Sequence, residues 1–245
     1  MKNICAIILA AGKGSRFGSD RPKVLHELHG KPMVHHVMSS VKSSGISSIC
    51  LVVGYQQALV RESCHAFQPI YAVQEEQLGT GHAVVCGLNQ MMDSSFETCV
   101  VLAGDCPLIQ PGTIQSLIQV HTNTHAVASI LTATMPDAGS YGRIIRDQDR
   151  NIVAIREAVD CTSEERAIQE FNSGIYCFNK VALKDCVTTL TANNNQNEYY
   201  LTDVIAAFRK NNQTVSGLCI DTHWEVSGAN TPQELADMAA FSIEK

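Results

Sequence analysis

The chain has 245 residues, of which 45% are hydrophobic, and a formal net charge of −6. A chain of this length can bury one large core, so we expect a single domain. The acidic balance argues against partners that require a positive field, and we therefore expect no nucleic acid and no membrane among the main partners.

The ten cysteines are scattered and form no CxxC pair. The spacing of Cys and His fits neither a disulfide scaffold nor a zinc site, so we expect reduced thiols and a cytosolic protein. The short apolar run at residues 4–11 is unlike a signal peptide, and no apolar stretch could span a bilayer. Five cysteines lie in apolar runs typical of buried strands: Cys5, Cys50, Cys99, Cys177 and Cys219.

Short runs rich in Val, Ile and Leu alternate with amphipathic segments in the first half of the chain. Such runs are typical of strands buried on both faces. Met33, Val37 and Val41 recur at helical spacing between two of them. The alternation predicts βαβ units in a doubly wound sheet. The predicted strands span residues 4–10, 49–54, 69–74 and 98–104, and the predicted helices span 32–44, 80–92 and 113–121.

The pattern becomes mixed after about residue 125. Predicted strands span residues 126–133, 151–157, 174–178 and 215–220, predicted helices span 202–209 and 232–241, and predicted loops lie at 141–143 and 193–195. Because no linker or repeat separates the halves, we expect the second half to extend the same sheet.

The first predicted strand ends in the letters LAAG at residues 9–12 and passes into KGSR. Its glycines follow the spacing GxGxxxG, which matches neither the dinucleotide-binding pattern nor the Walker A loop. An ordinary glycine turn is one interpretation. Since backbone donors and the cations Arg16 and Lys23 occur within about a dozen residues, the segment favours a phosphate ligand.

The segment LAAGKGSRFGSDRPKVLHELHGKPM resembles the signature of the sugar-phosphate nucleotidyltransferases. Its PKVLH and GKPM portions are similar to the bacterial N-acetylglucosamine-1-phosphate uridylyltransferases. The resemblance implies that Arg16 and Lys23 are catalytic and hold the phosphates. It also implies that the end of the first strand and the residues after it bind the nucleotide: Leu9, Ala10, Ala11 and Gly12. Of these, Ala11 and Gly12 would lie against the uracil.

The letters QEEQLGTG at residues 74–81 follow the third predicted strand and open a helix. A side-chain amide carries both a donor and an acceptor, which reading the edge of a pyrimidine requires. A polar turn with a threonine helix cap is the alternative. The resemblance implies that Gln74, Gly79 and Thr80 recognise the base.

The letters VVLAGD at residues 100–105 predict an apolar strand that ends in a carboxylate. Such an Asp faces the ligand crevice of a parallel sheet, and its oxygens suit Mg²⁺. A turn or cap Asp is the alternative. The resemblance implies that Asp105 binds the metal and that Gly104 lies in the substrate site. We expect the Asp105 carboxylate to be exposed and to contribute little to stability.

Five later features of the sequence also resemble the family's loops. YGR at 141–143, Glu157 and EFNSG at 170–174 resemble sugar-binding loops, which implies roles for three residues: Gly142, Glu157 and Asn172. EYYLTD at 198–203 resembles a family segment near the sugar, which implies that Tyr199 and Thr202 bind there. Thr202 could equally begin a helix. VSGANTP at 226–232 resembles the closing loop that supplies the second metal ligand, Asn230; a helix cap is the alternative.

The resemblance runs from residue 4 to about residue 235 and implies a Rossmann-like α/β fold with a mixed, mainly parallel sheet flanked by helices. The expected single nucleotidyltransferase domain comprises a nucleotide-binding half, 1–124, and a sugar-binding half, 125–245. The implied reaction is in-line, Mg²⁺-assisted transfer of a uridylyl group from UTP to N-acetyl-α-D-glucosamine 1-phosphate, with release of pyrophosphate.

Two other functions stay open at this point. One is a nucleotidyltransferase for another sugar 1-phosphate. The other is a non-catalytic nucleotide-sensing subunit, which we would expect to lack Lys23 or Asp105. Many relatives continue into a β-helix with acetyltransferase activity, and this sequence contains none of its hexapeptide repeats. We therefore expect no acetyl transfer and no trimer built by a β-helix, while the oligomeric state is otherwise open.

Overall fold

The computed structural model describes residues 3–91 and 95–243. The strands are β1 (Ile4–Ala10), β2 (Glu27–Leu28), β3 (Lys31–Pro32), β4 (Ser48–Val53), β5 (Ile70–Val73), β6 (Thr98–Ala103), β7 (Ala128–Thr134), β8 (Arg143–Arg146), β9 (Ile152–Arg156), β10 (Glu170–Asn179) and β11 (Val215–Ile220). The α-helices are α1 (Met33–Ser43), α2 (Gln57–Cys64), α3 (Thr80–Gln90), α4 (Pro111–Thr124), α5 (Ser163–Arg166), α6 (Lys180–Val187), α7 (Asp203–Lys210), α8 (His223–Val226) and α9 (Pro232–Ile243).

In the described part of the chain, nine strands form one sheet whose main path runs β11-β7-β10-β6-β1-β4-β5. Strands β6, β1, β4 and β5 are parallel, and β11 is parallel to β7. Strand β10 is antiparallel to both β6 and β7, and β8 and β9 extend its side of the sheet. This mixed, mainly parallel sheet flanked by helices confirms the predicted fold class.

The core lies on both faces of the sheet. In β1, Ile8 packs in the layer beneath α1 and α4, while Ile7 packs in the layer beneath α3 and α6. Alternation of apolar side chains to two covered faces explains why the parallel strands consist of continuous apolar runs. Val37 and Val41 of α1 are fully buried, as their spacing predicts. None of the helices within residues 3–91 and 95–243 has the length and apolarity needed to cross a membrane.

The strands and helices predicted in the first half all occur, with their ends within three residues of the predicted ones. Met92, the last residue of the predicted helix 80–92, lies outside the described residues. Helices α2, α5, α6 and α8 were not predicted. The start of α6 carries a local signal, because the Asn179 side chain accepts a hydrogen bond from Ala182 N, as an N-cap does.

Two predictions about the second half are wrong. Arg143 is not in a loop but begins β8, where it is buried. Cys219 is exposed, whereas the other four cysteines of the predicted buried set are buried. The reason is that Cys219 lies in β11, which is an edge strand of the sheet and alternates between more and less buried positions.

Candidate active site

A cleft with a volume of about 730 Å³ crosses the carboxyl end of β6 and extends over the bulged part of β10. Loops from both halves of the chain form its walls. The predicted site residues that line it are Arg16, Asp105, Gly142, Glu157, Asn172 and Asn230. We call the group Arg16, Lys23, Asp105 and Asn230 the charged end, and the group Gly142, Glu157 and Asn172 the polar end.

At the charged end, two predicted metal-binding oxygens converge on one cation. The Lys23 ammonium group donates to the Asp105 carboxylate, and it also donates to Asn230 Oδ1 at 2.7 Å. The Arg16 guanidinium donates to the same Asn230 oxygen at 2.9 Å. The fold therefore brings together the first loop, the end of β6 and the segment before α9, which lie far apart in sequence.

The path of the glycine loop allows Lys23 to reach this position. Gly14 has a φ of 72°, in the left-handed region that favours glycine. A Cβ atom at Gly14 would lie 2.6 Å from Lys23 Cβ, which is closer than side chains can approach. Gly14 thus provides both the turn and the space for Lys23.

The expectation that the Asp105 carboxylate is exposed is wrong. Its side chain is only 16% exposed and forms an ion pair with Lys23. The Asp105 carbonyl accepts a hydrogen bond from Ala229 N at 3.0 Å, and a Cβ at Gly228 would lie 3.3 Å from either carboxylate oxygen. The closing loop packs directly on Asp105, and this contact between distant segments removes the carboxylate from solvent.

Asn230 is not the side-chain cap of α9. Thr231 Oγ1 accepts from Glu234 N at 3.1 Å, and Glu234 Oε2 accepts from Asn230 N at 2.6 Å. Thr231 is therefore the side-chain cap of α9, and the Glu234 carboxylate binds the backbone of the residue before that cap. The Asn230 side chain is therefore available for the cleft, and its Nδ2 donates to Gly228 O at 3.2 Å, which directs Oδ1 toward the cations.

The donor set of the charged end fits a magnesium ion. The carboxylate oxygen of Asp105 and the amide oxygen of Asn230 are hard ligands that already converge on one positive group. Within residues 3–91 and 95–243, no cluster of three or more His, Cys, Asp or Glu side chains could hold a metal ion. Two oxygen ligands suit a metal that completes its shell with substrate phosphates and water, as Mg²⁺ does.

At the polar end, a β-bulge directs Asn172 into the cleft. The pairing of β10 with β7 shifts register between Asn172 and Ile175, and Gly174 within this bulge has a φ of 75°. Asn172 N donates to Gly142 O at 2.8 Å, and Asn172 Oδ1 accepts from Gly174 N at 3.2 Å. Bulges commonly re-aim a side chain next to a binding site.

Glu157 is held at the polar end by the hydroxyl of Thr202, which donates to Glu157 Oε1 at 2.9 Å. Burial raises the pKa of the Glu157 carboxyl above its ordinary value, and the Thr202 hydrogen bond partly offsets that rise. Helix α7 begins after Thr202, but the Thr202 side chain makes no capping bond to it. The Thr202 hydroxyl donates its hydrogen bond to Glu157 instead.

Residues 74–81, which include the residues predicted to recognise the base, contact residues 199–201 in the second half of the chain. Gln74 is buried, and its Nε2 donates to Gly79 O at 3.0 Å. A Cβ at Gly79 would lie 2.7 Å from Tyr199 O, so glycine is needed for this close approach. Thr80 Oγ1 accepts from Leu201 N at 3.0 Å and makes no helix-capping bond, so the helix-cap interpretation of Thr80 is wrong.

The remaining predicted residues lie beside the main cleft rather than in its lining. Gly104 N donates to Leu9 O at 2.9 Å, which joins the carboxyl ends of β6 and β1. Ala11 and Gln74 both approach Gly54, where a Cβ would lie 2.9 Å from Ala11 Cβ and from Gln74 O. The predicted residues outside the lining are Leu9, Ala10, Ala11, Gly12, Lys23, Gln74, Gly79, Thr80, Gly104, Tyr199 and Thr202.

The sequence patterns missed several residues that line the cleft. Those with side chains of interest are Cys106, Ser140, Val159, Arg166 and Gln196. Arg166 has a detectable signal, because it ends the short helix α5, which begins with a capping box between Thr162 and Glu165. The importance of Tyr141 could not be read from its sequence, since its partner lies 87 residues away.

The model of the family described as "MobA-like NTP transferase domain" matches residues 6–175. The "Bifunctional protein GlmU" of Carboxydothermus hydrogenoformans is 44% identical over 230 residues, which cover 94% of this chain and 51% of that protein. The protein of the same name from Clostridium botulinum strain Loch Maree is 40% identical over 233 residues, covering 95% and 50%. The chain thus spans about half the length of these curated relatives.

Among solved structures, a UDP-glucose pyrophosphorylase complexed with UDP-glucose superposes with a TM-score of 0.77. The match covers 100% of both chains at 15% sequence identity. At this identity the likeness concerns the fold alone. It agrees with the mixed, mainly parallel sheet described above.

Proposed function

Because the chain belongs to the MobA-like NTP transferase domain family, we propose that it transfers a uridylyl group from UTP to N-acetyl-α-D-glucosamine 1-phosphate and releases pyrophosphate. The observation that carries this proposal is the convergence of Lys23, Asp105 and Asn230 at one end of the cleft. A triphosphate requires cations and a metal site at one place, and the charged end supplies both.

The polar end supports the sugar assignment. A sugar hydroxyl needs a fixed acceptor and an N-acetyl group needs a fixed donor or acceptor, and Glu157 and Asn172 offer these at the cleft surface. Gly142 leaves room beside them, since a Cβ there would lie 3.4 Å from Glu157 Oε2. The curated relatives named GlmU match nearly all of this chain. The similarity of its PKVLH and GKPM portions to the N-acetylglucosamine-1-phosphate uridylyltransferases supports this substrate pair over another sugar 1-phosphate.

The proposed mechanism is direct in-line transfer. An oxygen of the sugar phosphate attacks the α-phosphorus of UTP, the bond from that phosphorus to the β-phosphate oxygen breaks, and pyrophosphate leaves. The attacking phosphate is already anionic, so no general base and no covalent enzyme intermediate are required. Arg16 and Lys23 bind phosphate oxygens and oppose the negative charge, while the polar end orients the sugar.

Asp105 and Asn230 would hold Mg²⁺, which when bound would neutralise phosphate charge. Lys23 contacts both of these residues, so its ammonium group lies beside the oxygens that would hold the ion. A nucleotide-sensing subunit would not require this assembly of cations and hard oxygen ligands. We therefore favour catalysis over sensing.

The test is pyrophosphate release by the purified chain across nucleoside triphosphates and sugar 1-phosphates at saturating Mg²⁺. We expect the highest kcat/KM for UTP with N-acetylglucosamine 1-phosphate. CTP should be at least about tenfold poorer, because an unmatched base edge leaves buried polar groups unsatisfied at about 1–3 kcal/mol each. Equal use of CTP contradicts the base assignment, and a higher kcat/KM for glucose 1-phosphate contradicts the sugar assignment. UTP binding without turnover of any sugar phosphate supports the sensing function instead.

A further inference from the structure

The hydroxyl group of Tyr141 uses both of its hydrogen-bonding capacities on one residue. It accepts from Gly228 N at 2.9 Å and donates to Gly228 O at 3.2 Å. A phenol has one proton to donate and oxygen lone pairs that accept, so this arrangement engages both functions. The contact connects the loop before β8 to the loop before α9.

The Tyr141 ring is itself fixed in position. It packs against Phe171 with ring centroids 4.6 Å apart and an interplanar angle of 48°, and Phe171 is fully buried in β10. The Arg143 guanidinium donates to the carbonyl of Gly139 at 3.1 Å, which anchors the loop that carries Tyr141. Burial raises the pKa of the Tyr141 phenol above its ordinary value, which already lies well above neutral pH, so the hydroxyl is a donor at neutral pH.

On the other side of the contact, Gly228 is linked to both proposed metal ligands. Its carbonyl accepts from Asn230 Nδ2 at 3.2 Å, the same carbonyl to which Tyr141 donates. Gly228 also lies close to the Asp105 carboxylate, since a Cβ there would be 3.3 Å from either oxygen, and the next residue, Ala229, donates its N–H to Asp105 O. A displacement of Gly228 would therefore disturb the orientation of both ligands.

We propose that Tyr141 is a positioning residue whose hydroxyl fixes the loop at residues 226–230 against the sugar-binding loop, and so sets the distance between the metal ligands and the bound sugar. The inference rests on the proposed function, because it assigns Tyr141 a part in aligning the two substrates of that reaction. Tyr141 neighbours Gly142 of the polar end in sequence, and its hydroxyl binds Gly228, which in turn contacts Asn230 of the charged end. Alignment of this kind affects turnover more than the binding of either substrate alone.

The test is Tyr141→Phe, which removes the hydroxyl and keeps the ring. The matched control is Tyr71→Phe, because the Tyr71 hydroxyl also donates to a backbone carbonyl, Arg61 O at 3.0 Å, but from β5 at the far edge of the sheet. For Tyr141→Phe we expect kcat to fall about tenfold and the Mg²⁺ concentration for half-maximal rate to rise about threefold or more, with KM for UTP within about twofold. The Tyr71→Phe variant should keep all three values within about twofold of the unmodified protein.

Amide hydrogen exchange gives a second readout that needs no substrate. In Tyr141→Phe, exchange at residues 226–230 should be at least about fivefold faster, because Gly228 N–H loses its acceptor, and Tyr71→Phe should leave it unchanged. Unchanged kcat and Mg²⁺ dependence, or unchanged exchange, in folded Tyr141→Phe overturns the proposal. If that variant does not fold, exchange in the unmodified protein decides: a protected Gly228 amide supports the contact, and an unprotected one overturns it. Failure of the unmodified chain to turn over any substrate would reject the proposed function and would leave the exchange test in force.

Discussion

The charged end and the polar end of the cleft are built in different ways. At the charged end, side chains from three distant segments meet directly, and hydrogen bonds join Lys23 to Asp105 and Asn230. At the polar end, backbone geometry does more of the positioning, through the bulge at Gly174 and the hydrogen bond from Asn172 N to Gly142 O. Charge must be brought together in space, whereas recognition of a neutral polyol requires fixed donors and acceptors.

The difference predicts different sensitivities to substitution. Loss of one charge at the charged end removes electrostatic stabilisation that acts mainly on the transition state. Loss of one polar group at the polar end removes a hydrogen bond that also exists in the substrate complex, so its effect should be smaller and specific to the sugar.

The largest effect is expected for Lys23→Met. Lys23 donates a hydrogen bond to both proposed metal ligands at the charged end, and its loss should lower kcat/KM by about a thousandfold. The control is Lys42→Met, because Lys42 of α1 places its ammonium group over the Phe67 ring and does not line the cleft, so its loss should change kcat/KM by less than about twofold. Steady-state kinetics with thermal melting of both variants separates catalysis from folding. A Lys23→Met variant with more than about a tenth of normal activity would refute the role of Lys23.

A smaller effect is expected at the polar end for Glu157→Gln. The amide keeps an oxygen that can accept from Thr202 but loses the charge that strengthens a bond to a sugar hydroxyl. We expect kcat/KM for N-acetylglucosamine 1-phosphate to fall about tenfold, while KM for UTP stays within about twofold. Competition assays with both sugar phosphates measure the effect. An equal loss for every sugar phosphate would argue against a specific contact between Glu157 and the sugar.

The Glu157→Gln variant also gives a prediction of how the stability of the folded protein depends on pH. Burial raises the pKa of Glu157 in the folded protein, so between its ordinary value and the raised value the folded state binds more protons than the unfolded state. As the pH rises through this window, the Glu157 carboxyl group therefore lowers the free energy of unfolding. That free energy stays lowered at higher pH. Thermal melting from acid to neutral pH should show Glu157→Gln gaining stability relative to the unmodified protein. A constant difference across that range would contradict the raised pKa.

The smallest effect is expected for Gly174→Ala. A Cβ at Gly174 meets only Ala103 Cβ, at 3.9 Å, so the cost comes from the left-handed φ of 75° and should be about 1–2 kcal/mol. In a chain of this size that corresponds to a decrease of about 2–8 °C in Tm. Gly112→Ala is the control, because Gly112 lies in α4, has open space around it and should not be destabilised. Equal Tm values for the two variants would show that the bulge does not need glycine.

The sequence was most informative where the signal is local. The apolar run of β1, the glycines after it and the strand that ends before Asp105 each lie within a short segment, so periodicity and turn chemistry predict them. The burial of Asp105 depends on how the loop at residues 226–230 packs against it, and no local pattern encodes that contact. The exposure of Cys219 follows from the position of β11 at the sheet edge, which only the topology reveals.

The central claim is that Asp105 and Asn230 together hold the metal that serves transfer, and the most direct test is turnover against Mg²⁺ concentration for Asp105→Ala and Asn230→Ala. Folding is checked by thermal melting, because Asp105 is partly buried and paired with Lys23. We predict that Asp105→Ala loses at least about a hundredfold in kcat at every Mg²⁺ concentration, since a charged ligand is lost. Asn230→Ala should lose about tenfold and recover in part at high Mg²⁺, because water can replace a neutral ligand. Near-normal turnover and Mg²⁺ dependence in folded Asp105→Ala would contradict the metal assignment.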